Sequence, residues 1–547
     1  MANLDNGFIK ANTLGAGANG ARTENGALSY ATIGSALLDQ FGKAGSFRGR
    51  PIDDVWADQQ LLWAEDPENA LKFPFYLRMI TRQSNIIGGS KTEKVQRGQG
   101  ARDESFKRLL WIAKYHPDEF YRNLWILPIV GSWKDLWVLM AFEGASEYLD
   151  YKKFFAVLAE GINDPNHKDL VKKYMPRIRS DKKCTTDWAK RTNEIAKAFA
   201  KEAGWTFRDY RQFKSTGKAH EFQTIICHGL YSAIKWNAIP GKALLNLVSG
   251  KFLNAHNLEE SYLTWLKAQP VAKFNGYAFE LGRKLLNCHY NPSLVTKVTI
   301  DKQFDGLIAT ASQDGGAING NVLCALDTSG SMEAYIDKER TTTAFDVCVS
   351  LGIYFSELNK GAFHNTVAMF DNTSWMMNLS GSFTDKYKQI KHSTTAWGGT
   401  NFQSLIDLIV RTRKENPNIP LDDFPKTLLV VSDMQFNPTS DWRYGYSSAA
   451  EKTNYELAMQ KLRSVFPEEF VSDFKIVWWY CSNSRTTDFP STMENGGTYM
   501  LSGFDGAVIS FLLGGEEIKV EGEKKAIPSM QDIVNAALSQ EALALVK

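Results

Sequence analysis

The chain has 547 residues, of which 44% are hydrophobic, 23% charged and 12% aromatic. This composition excludes collagen-like, low-complexity and wholly disordered proteins, and the length predicts two or more domains because a domain usually holds about 100–200 residues. The formal net charge of +2 hides an asymmetry: residues 151–300 carry 25 Lys and Arg against 12 Asp and Glu, whereas residues 301–547 carry 21 against 31. A basic middle and an acidic C-terminal part indicate two regions that meet different partners.

Membrane and secretion signals are not found in the sequence. No stretch approaches the roughly 18 unbroken apolar residues of a membrane-spanning helix, and the N-terminus lacks the basic and apolar regions of a signal peptide. The six cysteines are scattered without a C-x-x-C pair, which is typical of reduced thiols. We therefore expect a cytoplasmic protein that does not contact a membrane.

The first two segments of the chain differ in pattern. Residues 1–26 are rich in Gly, Asn and Ala and are predicted to form a flexible N-terminal arm. Over residues 27–300 apolar residues recur at helical spacing, for example within 106–113 and from Trp188 to Phe199. Turn signals separate these stretches, and strand signals are few. The pattern predicts an all-α domain, an array of helices without a fixed repeat period.

A third segment, residues 318–547, alternates strands and helices. The predicted strands are 322–326, 366–370, 427–432 and 475–481, and the predicted helices are 344–358, 401–414, 455–466 and 506–513. Nearly continuous apolar strands separated by amphipathic helices are typical of a parallel sheet covered on both faces. We therefore expect a doubly wound α/β domain with its ligand at the carboxyl ends of the strands.

Oxygen-bearing side chains follow two of these strands and one loop. The first strand runs into Asp327, Ser329 and Ser331, and oxygen ligands of this kind suit Mg²⁺. A simpler reading is that these residues only cap the next helix. Thr400 follows a Gly pair before another helix, and Asp433 follows the strand 427–432. Because the fold brings such loops to one edge of the sheet, the three segments are predicted to ligate one ion.

Signatures of known catalytic sites are missing from the sequence. There is no G-x-x-x-x-G-K-[ST], H-E-x-x-H or G-x-S-x-G motif, and the Asp327 motif lacks the second carboxylate, two residues on, that aspartyl-phosphate enzymes use. We therefore expect a protein that is not an enzyme.

Positive charge is concentrated between residues 168 and 218. Basic residues with nearby aromatic rings can bind phosphates and stack on unpaired bases. The aromatic candidates are Trp205, Phe207, Tyr210 and Phe213. The alternative is an ordinary solvated helix, since Lys190, Lys197 and Lys201 share a helix face with Asp187 and Glu194.

The strand-end residues, taken in this order, resemble the metal-ion-dependent adhesion site of von Willebrand factor A domains. The resemblance implies binding rather than catalysis, with one coordination position open to a carboxylate from a partner. The five ligand positions that it implies are Asp327, Ser329, Ser331, Thr400 and Asp433.

A helical region followed by such a domain is similar to the TROVE and Ro ribonucleoprotein family. The matching stretches are GWTFRDY at 204–210, DTSGSM at 327–332, GGT at 398–400 and GFD at 503–505, with GAR at 100–102 and GSWKDL at 131–136 similar to less studied TROVE-like proteins. The likeness is specific over 318–515 and looser over 27–300. Phe207 departs from the family, which has a histidine there, and the loop 437–450 resembles an insertion.

The Ro resemblance implies a ring of HEAT-like helical repeats closed by the A domain. It further implies that single-stranded RNA 3′ ends bind inside the ring and small structured non-coding RNA binds on its basic outer face. The residues predicted to contact RNA are Lys190, Arg191, Lys197, Lys201, Arg208 and Arg211. Two alternatives stay open: an adaptor that captures a partner's carboxylate through the metal, and a structural component of a larger assembly.

Overall fold

The structure is a computed structural model that describes residues 20–80, 86–87, 90–91, 96–215, 221–248, 250–313, 317–318, 321–337, 340–394, 398–439, 452–483, 489–492, 495–509, 512 and 529–547. The chain separates into two compact units, each discontinuous in sequence. The helical unit comprises Arg50–Leu244, Gly250–Trp265 and Ala537–Lys547, and the sheet unit comprises Met1–Gly49, Leu245–Ser249 and Leu266–Ala536. No helix of the described residues is long and apolar enough to cross a membrane.

The described chain is mainly helical before residue 314, which confirms the predicted helical character of this half. It begins with an antiparallel hairpin of β1 (Gly20–Arg22) and β2 (Leu28–Tyr30) and helix α1 (Ala36–Lys43). Two helices and a short hairpin follow: α2 (Ile52–Glu65), α3 (Pro67–Arg78), β3 (Ile86–Ile87) and β4 (Ser90–Lys91). The next helices are α4 (Arg102–Tyr115), α5 (Pro117–Arg122), α6 (Ile126–Val130), α7 (Trp133–Met140), α8 (Tyr151–Asn163), α9 (Lys168–Tyr174), α10 (Asp187–Glu202), α11 (Phe207–Ser215), α12 (Glu221–Cys227), α13 (Gly241–Val248), α14 (Phe252–Ala255), α15 (Glu259–Ala268), α16 (Ala278–Asn287) and α17 (Leu294–Gln313).

The spacing of apolar residues predicted the buried face of α4 fully and that of α10 in part. In α4 the predicted stripe of Phe106, Leu109, Leu110 and Ala113 is buried. In α10 the later residues of the predicted stripe, Ile195 and Phe199, are also buried. Trp188, in contrast, is 43% exposed because it lies in the first turn of α10, and its prediction as a core residue is wrong.

The rest of the chain builds one six-stranded sheet with helices. Its elements are β5 (Val322–Asp327), α18 (Ala344–Leu358), β6 (Thr366–Phe370), β7 (Ser374–Asn378), α19 (Phe383–Ser393), α20 (Phe402–Glu415), β8 (Thr427–Ser432), α21 (Asn454–Arg463), α22 (Glu468–Asp473), β9 (Lys475–Tyr480), β10 (Thr498–Ser502) and α23 (Met530–Leu538). The strand order is β10-β9-β8-β5-β6-β7. The α/β character predicted for this half is confirmed.

The sheet is mixed, so the prediction of a wholly parallel sheet is wrong at one edge. Five strands pair in parallel, but β7 pairs with β6 antiparallel. The reason is local: β6 and β7 are separated by three residues, which is enough for a hairpin and too few for a crossover to a parallel strand. Every residue of β5 and β8 is buried, whereas β7 is half exposed at the sheet edge.

Strand order reverses at β5, which is the third strand from the β7 edge of the sheet and the fourth from the β10 edge. From β5 the chain moves to β6 and β7 on one side and then returns to place β8, β9 and β10 on the other side. At such a reversal the loops that follow the two central strands diverge and leave a crevice at their carboxyl ends. The ends of β5 and β8 are therefore where this fold favours a ligand.

The N-terminal hairpin of β1 and β2 packs on the sheet unit. Thr23 Oγ1 donates a hydrogen bond of 2.7 Å to the Phe436 carbonyl, and Glu24 N donates one of 2.6 Å to Gln435 Oε1. Residues 20–26 of the predicted flexible arm are thus hydrogen-bonded to the segment that follows β8, while residues 1–19 lie outside the described residues.

Candidate metal site

Two buried carboxylates lie at the carboxyl ends of neighbouring strands. Asp327 is the last residue of β5, and Asp433 follows directly after β8. These strands are neighbours in the sheet, with Leu326 opposite Val431, so Asp327 lies level with Ser432 and Asp433 follows one residue further along. Both side chains are removed from water. The fold therefore brings together the two charged residues of the predicted site.

Hydrogen bonds orient the Asp327 carboxylate. Ser329 N donates to Asp327 Oδ1 at 2.9 Å, and Ser432 Oγ donates to Asp327 Oδ2 at 2.5 Å. The bond from Ser432 links the two strand ends, and Ser432 Oγ also accepts a hydrogen bond from Met434 N of its own segment. Sequence patterns did not identify Ser432 as a site residue; the only signal was its position directly before Asp433.

The two serines of the first loop face the same carboxylates. Ser329 Oγ and Ser331 Oγ lie 3.2 Å apart, and a hydrogen bond from Ser331 contributes to the environment of Asp433. Ser329 is buried, but Ser331 is exposed. The predicted ligand set therefore has one accessible side, at Ser331.

Thr400 supplies the fifth predicted ligand from a separate loop. Gly330 N donates a hydrogen bond of 3.1 Å to the Gly398 carbonyl, which ties this loop to the Asp327 loop. Thr400 is buried, and its Oγ1 has no hydrogen-bond partner among the described residues. A buried hydroxyl without a partner is costly, so an additional group that accepts or coordinates this oxygen would stabilise the site.

Glycine is required for this loop to approach its neighbours. A Cβ added at Gly399 would lie 2.8 Å from Asn437 Nδ2, and one added at Gly398 would lie 2.4 Å from Asn372 Nδ2. Gly399 N in turn donates to Asn372 Oδ1 at 2.9 Å. The Gly pair thus lets Asn372 and Asn437 hold the loop that carries Thr400.

The electrostatics of the two aspartates are unfavourable without a cation. Burial, followed by repulsion from Asp433, raises the pKa of Asp327 to about 7. Burial likewise raises the pKa of Asp433, and the Glu24 carboxylate adds to the effect. A bound cation would favour the charged form of both groups.

The donor set fits a hard divalent cation. Its two carboxylates and three hydroxyls are all oxygen donors, as Mg²⁺ prefers. Within the described ranges no group of three or more His, Cys, Asp or Glu is arranged to hold a metal; the present set contains two such residues and depends on hydroxyls for the others. The five residues predicted from sequence as ligands are thus close in the fold: Asp327, Ser329, Ser331, Thr400 and Asp433.

The residues predicted to contact RNA lie on α10 and α11 of the helical unit. Three of them have polar partners within the protein: Lys190 pairs with Asp187 at 3.1 Å, Lys197 pairs with Asp181 at 2.6 Å, and Arg191 Nε donates to the Ala141 carbonyl at 2.8 Å. The other three are exposed and form no ion pair with a described residue: Lys201, Arg208 and Arg211.

The aromatic rings of this region are not equally available. Tyr210 is fully buried and donates a hydrogen bond of 2.9 Å to the Pro176 carbonyl, so it cannot stack on a base, contrary to the prediction. Trp205 and Phe213 are partly buried against each other, with ring centroids 4.9 Å apart. Phe207 is 44% exposed and is the predicted ring most accessible to a ligand.

Comparison with known proteins extends over both parts of the chain. Residues 321–543 are similar to the family described as a domain of unknown function, DUF7788. The chain is also 24% identical over 536 residues to the uncharacterized protein L728 of Acanthamoeba polyphaga mimivirus, an alignment that covers 91% of this chain and 86% of that protein. The family match begins just before β5 and includes all five predicted metal ligands.

Proposed function

We propose that this protein is a non-catalytic RNA-binding protein of the Ro type. In this proposal a TROVE-like region of HEAT-like repeats contacts RNA, and a von Willebrand factor A-like domain holds Mg²⁺. The RNA is a small structured non-coding RNA or a single-stranded 3′ end. The observation that carries the RNA proposal is the group of three exposed cations without an ion-pair partner among the described residues: Lys201, Arg208 and Arg211.

Charge and position support phosphate contact by these residues. Lys201 is in the last turn of α10, and Arg208 and Arg211 lie on α11, which follows after a short turn. The acidic residue between them, Asp209, accepts hydrogen bonds from Thr206 N and Oγ1 and forms no ion pair with a described residue. The cations are therefore available to a polyanion, and the exposed Phe207 ring beside them can stack on an unpaired base.

The metal belongs to the same proposal. Asp327 and Asp433 would supply two charged ligands, and Ser329, Ser331 and Thr400 would supply neutral ones. When bound, Mg²⁺ would balance the buried charge and offer a coordination position to an outside carboxylate. The unpartnered Thr400 Oγ1 and the raised pKa of Asp327 support occupancy.

A charge-reversal series tests the RNA proposal. We expect Lys201→Glu, Arg208→Glu and Arg211→Glu each to weaken binding of an RNA with a single-stranded 3′ end, because each replaces a phosphate contact by a repulsion. Lys153→Glu is the matched control, since Lys153 is an exposed lysine on α8 of the same unit. Equal affinity of all four variants and the wild type would contradict the proposed surface.

One observation favours a second candidate, the adaptor. Ser331 leaves the predicted metal site accessible from one side, as capture of a partner's carboxylate requires. The two candidates respond differently to chelation: EDTA should release a partner that binds through the metal, whereas RNA bound to α10 and α11 should be retained.

A further inference from the structure

Three helices of the helical unit bring charged residues to one place. Arg78 is the last residue of α3, Arg102 is the first residue of α4, and Lys134 and Asp135 lie in the first turn of α7. Their charges influence one another: Arg78 and Asp135 both act on Arg102 and on Lys134. We call these four residues the cationic site; it carries three positive charges and one negative charge.

Backbone hydrogen bonds hold the segments of the site together. Ala101 N donates to the Leu77 carbonyl at 2.7 Å, which joins the start of α4 to the end of α3. Ile80 N donates to the Val130 carbonyl at 3.2 Å, which joins the segment after α3 to the end of α6. These main-chain hydrogen bonds therefore fix the positions of the helix ends that carry the residues of the cationic site.

The centre of the site is a buried ion pair. Arg78 is 5% exposed, and its Nη2 lies 2.6 Å from Oδ2 of the fully buried Asp135. Ser132 Oγ donates to the same carboxylate oxygen at 3.0 Å. A Cβ at Gly131 would lie 2.4 Å from Asp135 Oδ2, so glycine is required there. Arg78 Nε has no hydrogen-bond partner among the described residues, which leaves a buried donor unsatisfied.

Two further cations, Arg102 and Lys134, interact electrostatically with both members of this pair. Arg102 and Lys134 are solvent-exposed and form no ion pair with a described residue. Desolvation by the surrounding protein lowers the pKa of both groups. The Asp135 and Asp103 carboxylates oppose this for Arg102, where repulsion from Arg78 adds to it, and for Lys134 repulsion from Arg102 and Arg78 adds to it while Asp135 opposes it.

The acidic residues of the first turn of α4 pair with cations of their own helix, although the charge of Asp103 also acts on Arg102 and opposes the lowering of its pKa. Asp103 pairs with Lys107 at 2.6 Å, and Glu104 pairs with Arg108 at 3.0 Å. Both acidic side chains thus have cationic partners one turn further along their own helix.

The N-termini of α4 and α7 add further positive charge to the cationic site. Neither α4 nor α7 has a side-chain cap at its N-terminus. The N-terminus of a helix carries unpaired N–H groups and partial positive charge, so that basic side chains in the first turn are unfavourable there unless an anion is bound. In both helices a basic residue occupies the first or second position, Arg102 in α4 and Lys134 in α7.

We propose that the cationic site binds a phosphate group, with Arg102 and Lys134 as its direct contacts and Arg78 as the buried charge behind them. A guanidinium, an ammonium and helix N-terminal N–H groups together match a dianion with several acceptor oxygens. The proposal concerns phosphate itself and is independent of the RNA surface on α10 and α11. The phosphate can come from a nucleic-acid backbone or from a small phosphorylated molecule.

Inorganic phosphate is the first probe, titrated calorimetrically in the presence of EDTA so that the proposed metal site does not contribute. We expect binding to the wild-type protein and a loss of at least about tenfold in affinity in the double variant Arg102→Gln/Lys134→Gln, because two charge-assisted contacts are removed. Both side chains are exposed, so the variant should fold. The control is Lys152→Gln/Lys153→Gln, which removes two exposed charges from α8 and should bind phosphate as the wild type does.

A second probe identifies the source of the phosphate. If the double variant also reduces the salt dependence of binding to a short single-stranded RNA, by about 0.7 in the log–log slope for one lost contact, the phosphate belongs to RNA. If phosphate binding is lost while RNA binding is unchanged, the site takes a small phosphorylated ligand. Absence of phosphate binding by the wild type, or equal binding by the double variant, would overturn the proposal whatever the RNA result.

Discussion

Ser432 Oγ lies 2.5 Å from Asp327 Oδ2 and donates a hydrogen bond to it. The last residue of β8 thereby orients the carboxylate that ends β5, and Asp433 follows immediately. A residue that holds a ligand without touching the ion is a general feature of metal sites. This hydrogen bond joins the ends of β5 and β8. It predicts that Mg²⁺ binding depends on Ser432 as well as on the five proposed ligands.

Replacement of Ser432 tests this dependence. We expect Ser432→Ala to weaken Mg²⁺ binding by about 10–100-fold, the usual effect of losing a residue that orients a metal ligand. The measurement is a calorimetric Mg²⁺ titration. Ser464→Ala is the control, because Ser464 is a serine of the same unit whose Oγ donates only to the local Lys461 carbonyl. Unchanged affinity in Ser432→Ala would show that Asp327 needs no orienting partner.

Thr400→Val separates a ligand role from a structural role. The Oγ1 atom of Thr400 has no partner in the described structure, so the free energy of unfolding without metal should stay the same or rise, since an unsatisfied polar atom is removed. Mg²⁺ affinity, however, should fall. Thr299→Val is the contrasting variant: Thr299 Oγ1 donates to the Val295 carbonyl at 2.7 Å, and its loss should cost about 1 kcal/mol. If Thr400→Val leaves Mg²⁺ affinity intact, Thr400 is not a ligand.

Gly399→Ala should disturb the site through packing alone. The added methyl group would meet Asn437 Nδ2 at 2.8 Å and Asn372 Oδ1 at 3.2 Å, so either these asparagine side chains, which hold the loop, or the Thr400 loop itself must shift. We expect weaker Mg²⁺ binding together with a lower melting temperature. At Gly496 an added Cβ meets nothing within 4 Å, and Gly496→Ala should change neither quantity. Equal behaviour of the two variants would mean that the loop adapts without cost.

The N-terminal hairpin should depend on the segment after β8. Glu24 N donates to Gln435 Oε1, whereas Asn25 Nδ2 donates to the Gln435 main-chain carbonyl at 2.5 Å. Gln435→Ala removes the first hydrogen bond and retains the second. Hydrogen exchange of residues 20–30 should therefore become faster in this variant, with the exchange of β9 unchanged as an internal reference. No change in residues 20–30 would show that the hydrogen bonds from Thr23 and Asn25 to main-chain carbonyls are enough to hold the hairpin.

Sequence patterns predicted the buried strands well and the exposed or local elements poorly. The strands β5, β6, β8 and β9 were predicted to within one residue because each is a continuous apolar run. In contrast, β7 is half exposed and polar at both ends, so its pattern is weak. The predicted helix over 506–513 begins as a 3₁₀ helix, Gly506–Ile509; most of the remainder lies outside the described residues.

In the candidate metal site, too, sequence patterns identified some residues, and others could be recognised only from the fold. Asp327 and Asp433 were predictable because each follows an apolar strand. Ser432, Asn372 and Asn437 were not, because their roles depend on which loops meet at the sheet edge. The cationic site illustrates this further: GAR at 100–102 and GSWKDL at 131–136 were visible as motifs, but no pattern indicates that Arg102 and Lys134 approach Arg78.

The most direct test of the account is the affinity of the wild-type protein for an RNA with a single-stranded 3′ end, measured across a salt series. Phosphate contacts predict a log–log slope of about −0.7 per neutralised phosphate, or roughly −3 to −6 for several contacts. We expect a slope in this range for the wild-type protein. A flat dependence on salt, or no binding at low salt, would contradict the proposal that this protein binds RNA.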